Sequence, residues 1–501
     1  MAGLQCTLRL WRQHRDREGA DPLRRGSLAE TLADGPAAET ERDEALELGR
    51  LARELWPGGI AISEEMDVAL RETEARISDP AVPAIFDAAL QVGPLQGRVD
   101  VLERAGEAWR LHAIVPSTRT RGEHLDALAF QAHLVRRAGL EVRGVWLHLL
   151  DGTYRSPSEL AADEIEIQRL LIARDVTRRV RARVEDTEHE VTRWLRVIEA
   201  PEPPEVTPSE HCRRPSRCPY FEGCRRPLPD DWVGHFPGLT AAWKAALLEG
   251  GALRFAQVPP EQVRTPTQRL ALRAAESRQP AFGSDLRHEL ERLAPPVLYL
   301  DFEAWAPVIP RVPGTRPQQV IPFQWSLHRI DRDGRLQHAE FLADPHRNRD
   351  PRPEWIEALL AAVAEEPSER APILVYSSFE SDCLADLARD LPPLARAIEE
   401  LRARLVDLYA IVRQCVYDLS FRGSWALKSV TPALVPGFSW RDLPGIANGA
   451  EAQAALARLS RAALTDPQRE RMRHQLLAYC ERDTWALVEL HRALRELAAL
   501  S

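Results

Sequence analysis

Apolar and polar positions alternate in short runs through the first 230 residues, and turn residues separate these runs. Alternation with a period of two predicts strands over 84–91, 97–103, 108–115 and 142–150. Apolar residues at helical spacing predict helices over 45–56 and 123–138, the first ending at Pro57-Gly58-Gly59. The charged stretch 161–199 keeps helical periodicity with few breakers and predicts one long helix. We therefore predict a mixed α/β domain over 1–229.

The second half of the chain has strand-like and helical patterns in alternation. Short apolar runs predict strands over 297–300, 322–330 and 373–376. Helical patterns cover 354–364, 382–391, 394–405 and 468–497. This alternation predicts an α/β domain around a central sheet over 291–501. Residues 230–290 read as a connector of two short helices around Gly250-Gly251, either a plain helical linker or a helix-hairpin-helix module.

Composition changes this picture little. A chain of 501 residues is long enough for two or three domains. Its net charge of −9 neither favours nor excludes nucleic-acid binding, because nuclease active sites concentrate carboxylates. No apolar run approaches the roughly 18 residues of a membrane span, and the N-terminus shows no secretory signal, so we expect a cytoplasmic protein without a membrane partner.

Acidic residues stand where the predicted elements of the second domain would bring them together. Asp301 and Glu303 follow the run 297–300, and positions i and i+2 of a strand share one face. Two convergent carboxylates suit a pair of divalent metal ions. Tyr479 and Asp483 stand at i and i+4 of a predicted helix, so they share a face as well. Here Asp483 is a predicted metal ligand, and the Tyr479 hydroxyl is predicted to orient the attacking water.

A further motif, Val375-Tyr-Ser-Ser-Phe-Glu380, runs from a strand into an acid. The order of strand DxE, strand FE and helix YxxxD resembles the DEDD exonuclease superfamily in its Tyr-containing branch, as in DnaQ-like and B-family proofreading domains. The stretches 299–303, 313–317, 321–328 and 421–430 also look like an uncharacterised bacterial domain family of the RNase H-like group.

This resemblance implies an RNase H-like (DEDD exonuclease) fold for 291–501 and a metal-dependent 3′→5′ exonuclease activity. It implies two Mg²⁺ or Mn²⁺ ions, and the implied ligands are Asp301, Glu303, Glu380 and Asp483. Glu380 departs from the Asp that is usual at the second motif, which leaves Asp382 and Asp407 as alternatives. An RNase H-type endonuclease is a competing hypothesis, and Tyr479 weighs against it because the YxxxD arrangement belongs to exonucleases.

Four cysteines form a second candidate site. Cys212, Cys218 and Cys224 lie within thirteen residues, whereas Cys6 stands near the N-terminus. A zinc site usually shows two close pairs of ligands, which this spacing lacks. One distant and three clustered cysteines resemble the iron–sulfur-bearing RecB-like nucleases. That resemblance implies a PD-(D/E)XK (RecB-like) fold for 1–229 and a 4Fe–4S cluster on these four thiolates, clasping the two ends of the domain.

The RecB-like active site departs from its pattern. Asp100 supplies the first acid, and Gln131 matches the helix that follows. Ala113 and Val115 stand where the family has Glu and Lys, and neither side chain can bind metal or carry charge. We therefore predict that this domain is catalytically inactive and binds nucleic acid or acts as a scaffold. The alternative is a site rebuilt from residues nearby in the sequence, namely Asp87, Glu107 or His112.

Together these patterns predict a nucleic-acid-processing protein that trims DNA, in preference to RNA, through its C-terminal domain. A helicase or repair complex is the expected partner. The alternative is a catalytically inactive nucleic-acid-binding or complex-assembly protein that keeps both folds.

Overall fold

The computed structural model describes residues 2–18, 36–157, 165–214, 217–344, 350–364, 371–443, 445–459 and 464–500. The chain divides into two compact units. The N-terminal unit comprises Met1–Cys224 and Ala306–Gln319, and the C-terminal unit comprises Arg225–Trp305 and Val320–Ser501. Among the described residues, no helix is both long and apolar enough to cross a membrane.

The N-terminal unit is built on a six-stranded mixed sheet. Its helices are α1 (Ala2–Gln5), α2 (Thr7–Glu18), α3 (Pro36–Ala52), α4 (Met66–Ser78), α5 (Gly122–Arg137), α6 (Ile167–Leu170), α7 (Thr177–Glu199) and α8 (Phe221–Arg225). Its strands are β1 (Ile60–Ala61), β2 (Ala84–Val92), β3 (Leu95–Ala105), β4 (Ala108–Ile114), β5 (Val142–Leu150) and β6 (Leu171–Asp175). The strands lie in sequence order; β1 runs parallel to β2 and β4 parallel to β5, and the other neighbours are antiparallel.

The period-two runs are confirmed as β2 to β5, and the predicted helix over 123–138 is confirmed as α5. The prediction of a single long helix over 161–199 is wrong. Residues 161–164 lie outside the described residues, so the comparison concerns 165–199. Leu171–Asp175 forms a strand that pairs antiparallel with β5, and α7 begins only at Thr177. Pairing with an open sheet edge outweighed the helical periodicity of this short segment.

The C-terminal unit has a five-stranded mixed sheet and a two-stranded one. Its helices are α9 (Ala241–Glu249), α10 (Pro266–Ser277), α11 (Leu286–Glu291), α12 (Arg352–Ala364), α13 (Phe379–Asp390), α14 (Ala395–Arg402), α15 (Leu408–Cys415), α16 (Leu427–Leu434), α17 (Gly449–Leu459) and α18 (Asp466–Leu500). Its strands are β7 (Ala281–Phe282), β8 (Val297–Trp305), β9 (Ile321–Ile330), β10 (Leu336–Leu342), β11 (Ile373–Val375), β12 (Leu405–Asp407) and β13 (Val416–Tyr417).

The larger sheet has the order β10-β9-β8-β11-β12, with β8 in the centre. β9 is antiparallel to β8 and β10, whereas β11 is parallel to β8 and β12. An apolar core formed with α12, α13 and α14 covers one face, and α18 contacts β8 and β9 on the other. The unit is therefore a mixed α/β fold whose central strand is covered on both faces.

Sequence reasoning missed two strands of the larger sheet, and also both strands of the two-stranded sheet, β7 and β13. The predicted helix over 394–405 ends at Arg402, and its last residue begins β12. β10 was missed because it is an edge strand with no buried residue, and its sequence lacks the period-two contrast of a half-buried strand. In the connector, α9 precedes Gly250-Gly251 as expected, but two short 3-10 turns separate the glycines from α10.

Candidate metal centre

Three carboxylates converge at the centre of the larger sheet. Asp301 and Glu303 lie on β8, and Asp483 lies on α18. One carboxylate oxygen from each of the three lies within 4.8 Å of the other two. We call these three residues the acidic trio. The structure therefore brings together the carboxylates that the i, i+2 spacing and the YxxxD motif singled out.

The packing of β8 explains the direction of the two acids. Phe302, between them in sequence, points to the opposite face, where its ring centroid lies 5.1 Å from that of Trp355 and 5.8 Å from that of Phe379. Because side chains alternate along a strand, burial of Phe302 in that core directs Asp301 and Glu303 towards α18. A one-residue slip would move the acids into the apolar core.

Glu380 is a buried neighbour of the acidic trio. It is the second residue of α13 and follows the predicted strand, which is present as β11. Its side chain accepts a hydrogen bond from the Ser377 hydroxyl at 2.9 Å. Its charge raises the pKa of Asp301 and of Glu303, although Glu380 is not within the 4.8 Å group.

The two alternatives to Glu380 are placed differently. Asp382 is exposed on α13. Asp407 caps α15, because its side chain accepts a hydrogen bond from the backbone N–H of Tyr409 at 2.9 Å. An N-cap acid already satisfies a helix terminus. The fourth acid that lies buried beside the trio is therefore Glu380.

Tyr479 accepts a hydrogen bond from Lys428 and lies beside the trio. The Lys428 ammonium donates to the Tyr479 hydroxyl at 2.5 Å and to the Ala447 carbonyl at 2.8 Å. The Tyr479 hydroxyl lies beside the Asp483 carboxylate and lowers its pKa. The Trp440 indole N–H also donates to Asp483, at 2.6 Å. Asp483 is thus held from two sides, and Tyr479 is held by a cation.

Sequence reasoning missed Lys428 and Trp440. Both lie on segments far from the acidic motifs in sequence, and neither belongs to a periodic pattern that marks a site. One signal was present in the composition. Lys428 is one of only two lysines among 66 basic residues, so a lysine is the exception in a chain that otherwise uses arginine.

The acidic trio is electrostatically strained without counter-ions. Burial is the largest cause that raises the pKa of Asp301 and Glu303, and repulsion from the other acids adds to it. Together they raise the pKa of Asp301 well above its usual range and that of Glu303 to about 8. Burial likewise raises the pKa of Asp483. The Lys428 ammonium lowers all three pKa values, but one positive charge cannot balance three carboxylates. Oxygen-only ligands of this kind suit Mg²⁺ or Mn²⁺.

The cysteine constellation lies in the N-terminal unit. Cys6 joins α1 to α2, Cys212 and Cys218 are buried, and Cys224 lies in α8. Burial first, and then the charges of the other three thiols, raise the pKa of Cys212 to about 11. The four thiols are therefore close neighbours, although they come from the two ends of the range 1–229.

Helices α1 and α2 hold Cys6 against the other cysteines. The Gln5 amide donates to the His211 carbonyl at 2.8 Å, and the Arg12 guanidinium donates to the Cys224 sulfur at 3.7 Å. A Cβ on Gly3 would stand 2.7 Å from the Trp194 ring, so only glycine allows α1 to approach α7 this closely. Helices α1 and α2 thus pack against the segment 212–224. We call the four cysteines held in this way the cysteine clasp.

The RecB-like positions on β4 are apolar and buried in the structure. Ala113 and Val115 belong to the main core of the N-terminal unit. Asp100 accepts a hydrogen bond from the backbone N–H of Ile114 at 2.9 Å, and burial raises its pKa to about 7. The Gln131 amide donates to a backbone carbonyl of β3. No metal-ligating partner is therefore supplied at the positions of Ala113 and Val115.

The residues suggested as a rebuilt site do not gather around Asp100. The ring of His112 lies against Trp56, at 4.9 Å between centroids, and Glu107 is exposed in a turn. Asp87 is near enough for its charge to raise the pKa of Asp100, but it is ion-paired with Arg53 at 2.6 Å. Among the described residues, the groups of three ligand atoms within 4.8 Å include none of these side chains.

Residues 298–426 match the family model described as a domain of unknown function, DUF2779. The matched range contains Asp301, Glu303 and Glu380, and it ends before Lys428 and the helix that bears Asp483. No curated protein and no solved structure matches the chain significantly. The family likeness covers only part of the chain and brings no known activity with it.

Proposed function

We propose that the C-terminal unit is a metal-dependent 3′→5′ exonuclease with an RNase H-like fold of the DEDD type. The observation that carries this proposal is the acidic trio, with Tyr479 beside one of its members, Asp483. Three carboxylates directed at one point are costly in a folded protein unless cations compensate them. Perturbed acids of this kind cluster at functional sites.

The side chains of the site have separable roles in this proposal. Asp301, Glu303 and Asp483, with Glu380 beside them, would hold two divalent ions. Such ions stabilise the attacking and leaving oxygens of a phosphodiester. Tyr479, positioned by Lys428, would orient the attacking water through its hydroxyl. The Lys428 ammonium places a positive charge where the phosphate charge increases.

The substrate in this proposal is a nucleic-acid strand with a free 3′ end, DNA in preference to RNA. A helicase or repair complex that exposes such ends is the proposed partner. Both rest on the resemblance to the exonuclease and RecB-like families.

For the N-terminal unit, we propose a RecB-like PD-(D/E)XK domain that has lost its catalytic site. Burial of Ala113 and Val115 in the core supports the loss, because an acid or a lysine at either position would now displace apolar packing. The unit would then bind nucleic acid or act as a scaffold.

The cysteine clasp fits a 4Fe–4S cluster better than a single zinc ion. Zinc–sulfur bonds of about 2.3 Å place tetrahedral sulfurs roughly 3.8 Å apart. In the part of the chain that the structure describes, the groups of three ligand atoms within 4.8 Å contain no cysteine. Four thiolates at wider spacing suit a larger cluster, and the arginines beside Cys218 and Cys224 offset thiolate charge.

The test is degradation of a single strand labelled at its 3′ or 5′ end, with Mn²⁺, by the full-length protein. We expect immediate release of the 3′ label and a ladder of shortened 5′-labelled products. Asp301→Asn, which keeps the side-chain shape, should abolish both, whereas Asp382→Asn on the exposed face of α13 should not. Cleavage that survives Asp301→Asn would assign the activity to another site. Absence of cleavage on DNA and RNA would favour the binding and scaffold alternative.

A further inference from the structure

A second group of ligand-bearing side chains lies on the same face of the larger sheet. His328 on β9 stands directly opposite His338 on β10, and Glu481 on α18 lies beside them. One ligand atom from each lies within 4.8 Å of the other two. None has a role in the proposed exonuclease reaction. We propose that this histidine site, formed by His328, His338 and Glu481, binds a divalent transition-metal ion of the zinc class.

The hydrogen bonds around the two imidazoles support this assignment. Nδ1 of His328 lies 2.8 Å from the Thr484 hydroxyl, and Nε2 of His338 lies 2.9 Å from the Ser326 hydroxyl. The two hydroxyls are 2.7 Å apart. The Thr484 hydroxyl lies 3.0 Å from the Glu481 carbonyl, to which it can donate its only proton.

The protons of this network can be counted. When Thr484 donates to the helix carbonyl, it accepts from Ser326 and from Nδ1 of His328. Ser326 has then used its proton, so it accepts from Nε2 of His338. Each neutral imidazole is therefore protonated on the nitrogen that faces a hydroxyl. The lone pairs remain on Nε2 of His328 and Nδ1 of His338, the latter 3.9 Å from the Glu481 carboxylate.

Histidines that bind metals are commonly held in this way, with the second ring nitrogen fixed by a hydrogen-bond partner. The arrangement also leaves a route for an ion. His328 is buried, but 24% of the His338 side chain and 50% of the Glu481 side chain are exposed. Water would complete the coordination from the open side.

The ligand chemistry separates this site from the acidic trio. Two imidazoles and one carboxylate suit zinc and similar borderline ions, whereas Mg²⁺ prefers oxygen ligands. The two sites nevertheless share their supports. Ser326 pairs with Asp301 across β8 and β9, and Thr484 follows Asp483 on α18. An ion at the histidine site would thus tie α18, which carries Asp483, to β9, the strand that pairs with β8.

The test is calorimetric titration of Zn²⁺ into full-length protein carrying Asp301→Asn, which weakens binding at the acidic trio. We expect that His338→Gln and Glu481→Gln, both at exposed positions, each remove one zinc equivalent or weaken it at least about 100-fold. His474→Gln, an exposed histidine of α18 outside the group, is the matched control and should bind as the parent does. Co²⁺ should give a visible absorption difference between the parent and His338→Gln.

A second variant tests the hydrogen-bond network itself. Thr484→Val keeps the shape of the side chain and removes no ligand, so affinity should fall about 10- to 100-fold. Chelation by surface groups alone would not respond to this buried change. Equal zinc stoichiometry and affinity in the parent and in His338→Gln would overturn the proposal. The proposal would also be overturned if neither His338→Gln nor Glu481→Gln removed or weakened a zinc equivalent that the parent protein binds.

Discussion

Replacement of Lys428 by methionine tests whether the missed lysine belongs to the site. Methionine keeps most of the aliphatic length but removes the ammonium that holds the Tyr479 hydroxyl at 2.5 Å. A hydrogen bond to a charged group contributes roughly 1.5–3 kcal/mol. If Tyr479 is positioned mainly by this contact, kcat for 3′ release should fall roughly 10- to 100-fold.

The pH dependence of Lys428→Met gives a second readout. The Lys428 charge lowers the pKa of all three acids of the trio. Without it those pKa values rise, so protons compete with metal ions up to a higher pH. We expect the acidic limb of the rate profile to move to higher pH and the Mn²⁺ requirement to increase at a fixed pH.

The assay is single-turnover release of a 3′ label at saturating DNA, measured over a range of pH and Mn²⁺ concentration. Lys244→Met is the matched control, because Lys244 is the other lysine of the chain and donates to the Gly234 carbonyl on a different segment. An unchanged rate and pH profile in Lys428→Met would refute this reasoning. A loss that more Mn²⁺ or higher pH fully restores would mean that Lys428 acts on the acids alone and not through Tyr479.

Three further predictions concern single contacts. Trp440→Phe removes the N–H that holds Asp483 and should lower kcat about tenfold or more with KM for DNA unchanged, by steady-state kinetics. Burial lowers the pKa of His148 to about 4 in the folded protein. As the pH falls from 6.5 towards 4, the unfolded chain therefore binds a proton at His148 that the folded protein does not, and the free energy of unfolding decreases by up to about 3 kcal/mol. We expect His148→Gln to reduce this decrease in urea titrations. Cys218→Ser should lose iron and visible absorption, and its melting temperature should fall.

The parts of the site that follow local periodicity could be predicted from the sequence. Asp301 and Glu303 follow an apolar run and alternate with Phe302, and Tyr479 and Asp483 are one helical turn apart. These relations depend only on the backbone geometry of one element. They hold whichever elements pack around them.

The remaining parts depend on contacts between distant segments. Lys428 and Trp440 reach the trio from chain segments that carry no periodic signal of a site. His338 lies on an edge strand that has no buried residue and whose apolar and polar positions do not alternate. Its register opposite His328 is set by sheet pairing, which no short sequence window encodes.

The surroundings of the buried acid on a central strand differ between the two units. In the N-terminal unit, Asp100 accepts a backbone N–H, and the neighbouring positions that could supply further ligands hold Ala113 and Val115. A raised pKa lets a single proton neutralise it. In the C-terminal unit, three acids converge, and Lys428 favours their charged forms. Protonation would relieve the repulsion there too, but Lys428 opposes protonation and so keeps available the charged carboxylates that divalent cations bind. This contrast in local charge, more than the number of acids, is why we propose catalysis in the C-terminal unit.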